Sequence, residues 1–241
     1  MNNEHLLVIC NGPSVAELVE AGFDHLPPHV DTVGCSLAYR YFEEINWWPT
    51  YYCLTDPKVL LHHQEAFQKM ILDRSNGIKK FVLCTELPQL GIDIKFEDPH
   101  NRIVHTAWQV TGQAAFKVCF RFNYKYLYLI GCDNKYFWDH SLVRALPNQS
   151  FENNRAMVLE DVPENPNYGI PNYLRKGDIT SWLFNHPDKT YSTSSGNEVW
   201  GELVESALNK NIEVYDFSNG NLPIENKLPS VINYFDYGKA S

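Results

Sequence analysis

The stretch best suited to hold a ligand is Asn11-Gly12-Pro13-Ser14. It follows the apolar run 6–10, which reads as a fully buried strand of the parallel type. Gly12 frees the backbone, Pro13 suits the first helical position, and Ser14 stands at the helix start. The N–H groups of such a start suit an anion. Other apolar runs end in similar polar punctuation: Ser36, Thr55-Asp56, Gly131-Cys132-Asp133 and Ser218-Asn219, with Thr111-Gly112 opening a helix. In a parallel sheet these strand ends share one edge, where ligands of open α/β folds bind.

Proton transfer needs a base near that edge. His140 follows Asp133 closely, in Tyr136-Phe137-Trp138-Asp139-His140, and a His beside an Asp in such a loop reads as a general base. Asp133 is the second candidate for the proton-transfer role. His62-His63 reads as a solvated helix surface, and His100 and His105 flank the segment before Thr111. No Gly-x-Gly-x-x-Gly and no Walker loop is present, so a dinucleotide pyrophosphate has no cradle. Without an Asp-x-Asp, and with Asp56 and Asp133 as isolated carboxylates, no metal is expected.

The elements that must position these residues alternate. Strands are expected at 6–10, 31–36, 49–55, 80–84, 103–105, 126–130 and 212–217. Helices are expected from 15, at 37–44, at 58–72, from 111 and at 197–209. This alternation predicts an α/β fold, a mostly parallel sheet with helices on both faces. Residues 86–102 read as irregular, and the tail after 223 has little pattern. Residues 134–178 are rich in Asn, Pro, Tyr and Trp without a sustained period. They suit a lid or acceptor-binding insert in a single domain spanning 1–241.

Composition narrows the classes. With 241 residues and 44% hydrophobic content, the chain can bury one large α/β core. A formal net charge of −9 without a basic run argues against nucleic acid as partner. The six cysteines form no Cys-x-x-Cys pair and read as small reduced core residues, which points to the cytoplasm. The start lacks a signal-peptide pattern, and no apolar run approaches the roughly 20 residues of a bilayer span. Contact with the inner face of a membrane would be peripheral at most.

The order of these motifs resembles the bacterial sialyltransferases of glycosyltransferase family 42 and the wider group sharing their Asn-Gly-Pro-Ser opening. The resemblance rests on Asn11-Gly12-Pro13-Ser14, Cys35-Ser36, Asp56-Pro57, Thr111-Gly112, Gly131-Cys132-Asp133 and 215–222. It implies a Rossmann-like domain with a lid and metal-independent transfer from a CMP-sugar to a glycan or glycolipid acceptor. The sugar would be sialic acid or a related 2-keto sugar such as Kdo, used in surface-glycan (lipopolysaccharide or capsule) synthesis. No cofactor is implied, and a homo-oligomer is compatible with it.

In that family's pattern Asn11, Gly12 and Ser14 hold the nucleotide, Thr111 and Gly112 contact the donor, and Asp133 lies beside the nucleotide. Tyr136 supports the leaving phosphate. Two positions depart from it: Trp108-Gln109-Val110 lacks the family's Arg, and 167–172 lacks its lid His. The alternatives are a nucleotide- or glycan-binding protein without catalysis and a pterin-type diphosphokinase.

Overall fold

In the computed structural model the chain builds an eight-stranded, wholly parallel sheet. The structure describes residues 3–87, 91–107, 109–133, 135–137, 143–145, 155–163, 165–181, 190–192 and 194–238. The sheet strands are β1 (His5–Ile9), β2 (Val30–Cys35), β3 (Tyr51–Leu54), β4 (Lys80–Leu83), β5 (Ile103–His105), β6 (Tyr126–Ile130), β7 (Glu213–Asp216) and β8 (Asn226–Lys227). Their spatial order is β8-β7-β6-β1-β2-β3-β4-β5. The chain runs outward from β1 to one edge, returns to the other side of β1 at β6, and continues outward. The strand order therefore reverses between β1 and β6, where an open α/β sheet forms its crevice.

Alternation along each strand sorts the core into two layers. Leu7, Ile9, Tyr52, Leu54, Phe81, Leu83, Tyr128 and Ile130 face one layer. It contains α1 (Ala16–Ala21), α2 (Tyr39–Glu44), α3 (Pro57–His62), α4 (Gln64–Leu72) and, later in the chain, α8 (Val231–Gly238). Leu6, Val8, Val33, Cys53, Val82, Leu127, Leu129 and Val214 face the other. That layer holds α5 (Thr111–Phe116), α6 (Val118–Phe122) and α7 (Ser194–Leu208). Crossovers of one hand that travel in opposite directions along a sheet must lie on opposite faces, and these do. Runs buried on both sides are why the strands read as continuous apolar stretches.

Four expectations are corrected. The helix expected over 58–72 is two, because His63 leaves helical geometry (φ −107°, ψ 20°) as its ring turns inward. Residues 86–102 are not wholly irregular: Glu86–Leu87 pairs antiparallel with Ile92–Asp93.

The stretch 134–178 is not structureless. Arg155–Val158 pairs antiparallel with Val143–Ala145 and Ile179–Ser181, and Lys135–Phe137 pairs with Thr190–Ser192. Ala156, Val158, Ile170 and Tyr173 are buried in the first core layer. Strands of three or four residues are too short to register as a period.

The tail, finally, adds β8 and α8. Ser230 caps α8 through the Asn233 N–H at 3.1 Å. The Glu17 carboxylate of α1 accepts from the Val231 and Ile232 N–H groups, both at 3.3 Å.

Candidate functional site

The expected residues converge at the C-terminal edge of the sheet, and much of that convergence is internal bracing. Gly12 N–H donates to the Gly131 carbonyl at 2.8 Å. Ser14 N–H and Oγ–H both donate to Asp133 Oδ2, at 3.0 and 2.9 Å. The same Ser14 Oγ accepts from Gly131 N–H at 2.9 Å, and Asn219 N–H donates to Asp133 Oδ1 at 2.8 Å. Cys132 N–H donates to Ser218 Oγ at 2.9 Å. The loops after β1, β6 and β7 are thus tied through one buried carboxylate.

This alters the expectation of an anion seat at the first helix. After Gly12 comes a single 3-10 turn, Pro13–Val15, which leads into α1. Ser14 N–H is taken by Asp133, Val15 N–H by the Gly12 carbonyl and Ala16 N–H by the Pro13 carbonyl. The protein's own carboxylate occupies the position a phosphate would need.

Three glycines allow the loops to approach. A Cβ on Gly12 would lie 2.3 Å from Asp133 Oδ2, one on Gly131 2.3 Å from the Cys10 carbonyl, and one on Gly220 2.3 Å from the Asp133 carbonyl. Gly131 also has a positive φ of 73°. Gly12 does not (φ −64°), so close approach alone requires it.

Asn11 stands at the reversal between β1 and β6. Its Nδ2 donates to the Cys35 carbonyl at 3.3 Å and to the Tyr173 hydroxyl at 3.0 Å. Its Oδ1 is buried and has no hydrogen-bond partner among the described residues. Buried acceptors are seldom left so. Ser36, just past β2, holds a left-handed φ of 52°, uncommon for a residue with a Cβ. The segment expected as a lid sits on this turn: Gly169 N–H donates to the Asn11 carbonyl at 3.1 Å. A Cβ on Gly169 would meet the Pro13 carbonyl at 2.7 Å.

Thr111 and Gly112 arrive from the other core layer. Thr111 Oγ1 lies 3.2 Å from Thr55 Oγ1, and a Cβ on Gly112 would lie 3.2 Å from Cys10 Sγ. Asp56 turns elsewhere: it caps α3 by accepting from Lys58 N–H at 2.9 Å and Val59 N–H at 3.4 Å. Tyr136 lies in the strand Lys135–Phe137, and His140 lies outside the described residues. All six cysteines are buried and free. Cys35 on β2 pairs with Cys53 on β3, and Cys10, just past β1, joins them in the second core layer.

A group the sequence did not single out borders this edge. Arg40 makes a bidentate pair with Asp178, Nη1 to Oδ2 and Nη2 to Oδ1, both at 2.6 Å. Their side chains are only 15% and 5% exposed. Burial works against both charges. The hydrogen bonds between them and their attraction win, raising the Arg40 pKa and, with Arg175 N–H, lowering that of Asp178. His63, expected in solvent, is 7% exposed, and its Nδ1 lies 3.1 Å from the Tyr39 hydroxyl.

Burial first, and then the Arg40 charge, push the His63 pKa from 6.5 down to about 4 against the pull of Asp178. Below 6.5 the unfolded chain binds a proton that the folded chain refuses. Stability is therefore full above about 6.5 and falls as the pH is lowered toward 4. Urea unfolding at pH 7 and at about pH 5 should show that loss. His63→Asn, which keeps a partner for Tyr39 but does not titrate, should flatten it; an unchanged slope would clear His63.

A cavity of about 680 Å³ lies elsewhere, beside the first residue of β1, between His5, His29, Tyr128 and Tyr234. It is away from the strand-end crevice and holds none of the expected residues, so the candidate site is placed at the crevice. No helix of the described residues is long and apolar enough to cross a membrane.

No family model matches the chain, and no curated protein matches it. Among solved structures the chain is similar to the one titled "Structure of MAf glycosyltransferase from Magnetospirillum magneticum AMB-1", with 16% identity and a TM-score of 0.45. The match covers 99% of this chain and 36% of that one, so the chain spans little more than a third of that protein's length. A likeness of this degree carries no argument about the chemistry, and the site rests on its own geometry.

Proposed function

We propose that the chain is a glycosyltransferase that takes its sugar from a CMP-linked donor bound in the crevice between β1 and β6. The observation that carries this reading is Asn11 Oδ1, a buried acceptor without a partner among the described residues, at the reversal of strand order. Such an atom suits a ligand N–H or O–H, as a cytosine amino group or a ribose hydroxyl offers. The order of motifs shared with the sialyltransferases supports a 2-keto sugar, sialic acid or Kdo, and a glycan or glycolipid acceptor. Thr111 and Gly112 border the donor from the side of α5. The segment around Gly169 forms the opposite wall, part of an insert at 134–178 that admits the acceptor.

The acceptor hydroxyl must lose a proton, and His140 is the proposed base. Asp133, whose oxygens already accept from Ser14 and Asn219, positions the turn. Since its negative charge faces the turn, the donor phosphate is best seated away from Ser14. The leaving CMP then needs hydrogen bonds rather than a metal, and Tyr136 is the proposed donor.

CMP at about a hundred times its dissociation constant should stabilise the protein by about 2.7 kcal/mol, a shift visible in thermal melting without added metal. Asn11→Ala should remove most of it. A metal-dependent preference for ATP or for a uridine nucleotide would overturn the CMP assignment. CMP binding without transfer from any CMP-sugar would make the protein a nucleotide-binding module.

A further inference from the structure

One cluster outside the crevice gathers metal-ligating groups. His62 ends α3, His63 separates α3 from α4, and Asp178 precedes the strand Ile179–Ser181. One ligand atom from each lies within 4.8 Å of the other two. His63 is 7% exposed, and its Nε2 has no hydrogen-bond partner among the described residues. That nitrogen faces Asp178 Oδ1 at 3.9 Å, too far for a hydrogen bond and close enough to share a cation.

We propose that His62, His63 and Asp178 bind a divalent transition-metal ion of the zinc type. Two imidazoles and one carboxylate suit Zn²⁺ or Co²⁺ better than Mg²⁺ or Ca²⁺, which take oxygen ligands. Metal–ligand bonds of roughly 2.0–2.2 Å require the ligand atoms to close by about an ångström.

The surroundings already orient two of the three ligands. The Tyr39 hydroxyl, 3.1 Å from Nδ1, fixes the His63 ring so that Nε2 points at Asp178. Asp178 is held by Arg40 at 2.6 Å on each oxygen and by Arg175 N–H at 2.8 Å on Oδ2. Oδ1, with one donor, keeps a lone pair for the ion. His62 is exposed and closes the site from the solvent side, leaving a position for water. The Arg40 charge opposes a second cation, so the affinity lies below that of a closed structural zinc site. None of these residues belongs to the donor crevice, and the site stands whether or not the chain transfers sugar.

The full chain, stripped with a chelator, would be titrated with CoCl₂ and followed by visible absorption, with ZnCl₂ as competitor. The expected result is one equivalent of Co²⁺ with ligand-field bands and no thiolate charge-transfer band, displaced by Zn²⁺. His62→Ala, at an exposed position, should weaken binding at least tenfold, the lower end of what even outer-shell partners contribute (about 10–100-fold). His63→Asn should abolish it, with circular dichroism confirming the fold of both variants. Absence of stoichiometric binding, a thiolate band that assigns the ion to the buried cysteines, or an unchanged affinity in His62→Ala would each overturn the proposal.

Discussion

Arg40→Leu is expected to destabilise the protein by about 3–5 kcal/mol, the cost of leaving a buried charge without its partner. Asp178 is 3% exposed and accepts both arms of the guanidinium. Leucine fills part of the space but leaves the buried carboxylate with the Arg175 N–H as its one remaining hydrogen-bond donor among the described residues. Against a total stability of about 5–15 kcal/mol, such a loss is a fifth or more. The double variant Arg40→Leu/Asp178→Asn should recover most of it, because no charge is then stranded and the asparagine oxygen still accepts from Arg175. Urea unfolding of the wild type, Arg40→Leu, Asp178→Asn and the double variant gives the cycle. A loss below about 1 kcal/mol in Arg40→Leu would place the pair with exposed ion pairs, contrary to its burial.

Gly12→Ala should cost about 3 kcal/mol or more and abolish the proposed CMP binding. The added Cβ would meet Asp133 Oδ2 at 2.3 Å and the Gly131 carbonyl at 2.6 Å. Neither can retreat: Asp133 is pinned by Ser14 and Asn219, and the Gly131 carbonyl accepts from Gly12 itself. The penalty is overpacking, typically about 1–3 kcal/mol, with lost hydrogen bonds to a charged group added to it. Gly22→Ala is the control. Gly22 has a φ of 87°, and a Cβ there would meet nothing within 4 Å, so its cost is torsional alone, about 1–2 kcal/mol. If Gly22→Ala proved the more damaging, backbone freedom rather than close approach would be the main demand on these glycines.

Much of this frame was legible in the chain. Each sheet strand from β1 to β7 was expected within a residue or two, because apolar runs bounded by turn formers are what double-sided burial selects. The convergence of Asn11, Ser14, Gly131, Asp133 and Ser218 followed from the parallel topology. Illegible were contacts set by tertiary packing. Nothing local marks His63 as inward-facing or pairs Arg40 with Asp178, 138 residues apart. The turn's satisfaction by Asp133 depends on a loop 119 residues away. The α8 helix was readable in principle: Ser230 precedes Val231, Tyr234 and Phe235 at helical spacing, with Val231 and Phe235 buried.

The order β8-β7-β6-β1-β2-β3-β4-β5 has a consequence for how the chain is made. Of the sheet's strands β1 is made first, yet one of its two partners, β6, is separated from it by the whole of β2 to β5. At synthesis rates of about 5–20 residues per second, several seconds pass in which Leu6–Ile9 offers an unpaired edge. For most of that interval the second sheet face also awaits α5 and α6, and α7 follows later still. A chain interrupted before residue 111 would therefore carry both an open strand edge and an uncovered apolar face, the two surfaces that nascent chains most need shielded. The strand that anchors the finished site is, during synthesis, the greatest hazard to reaching it.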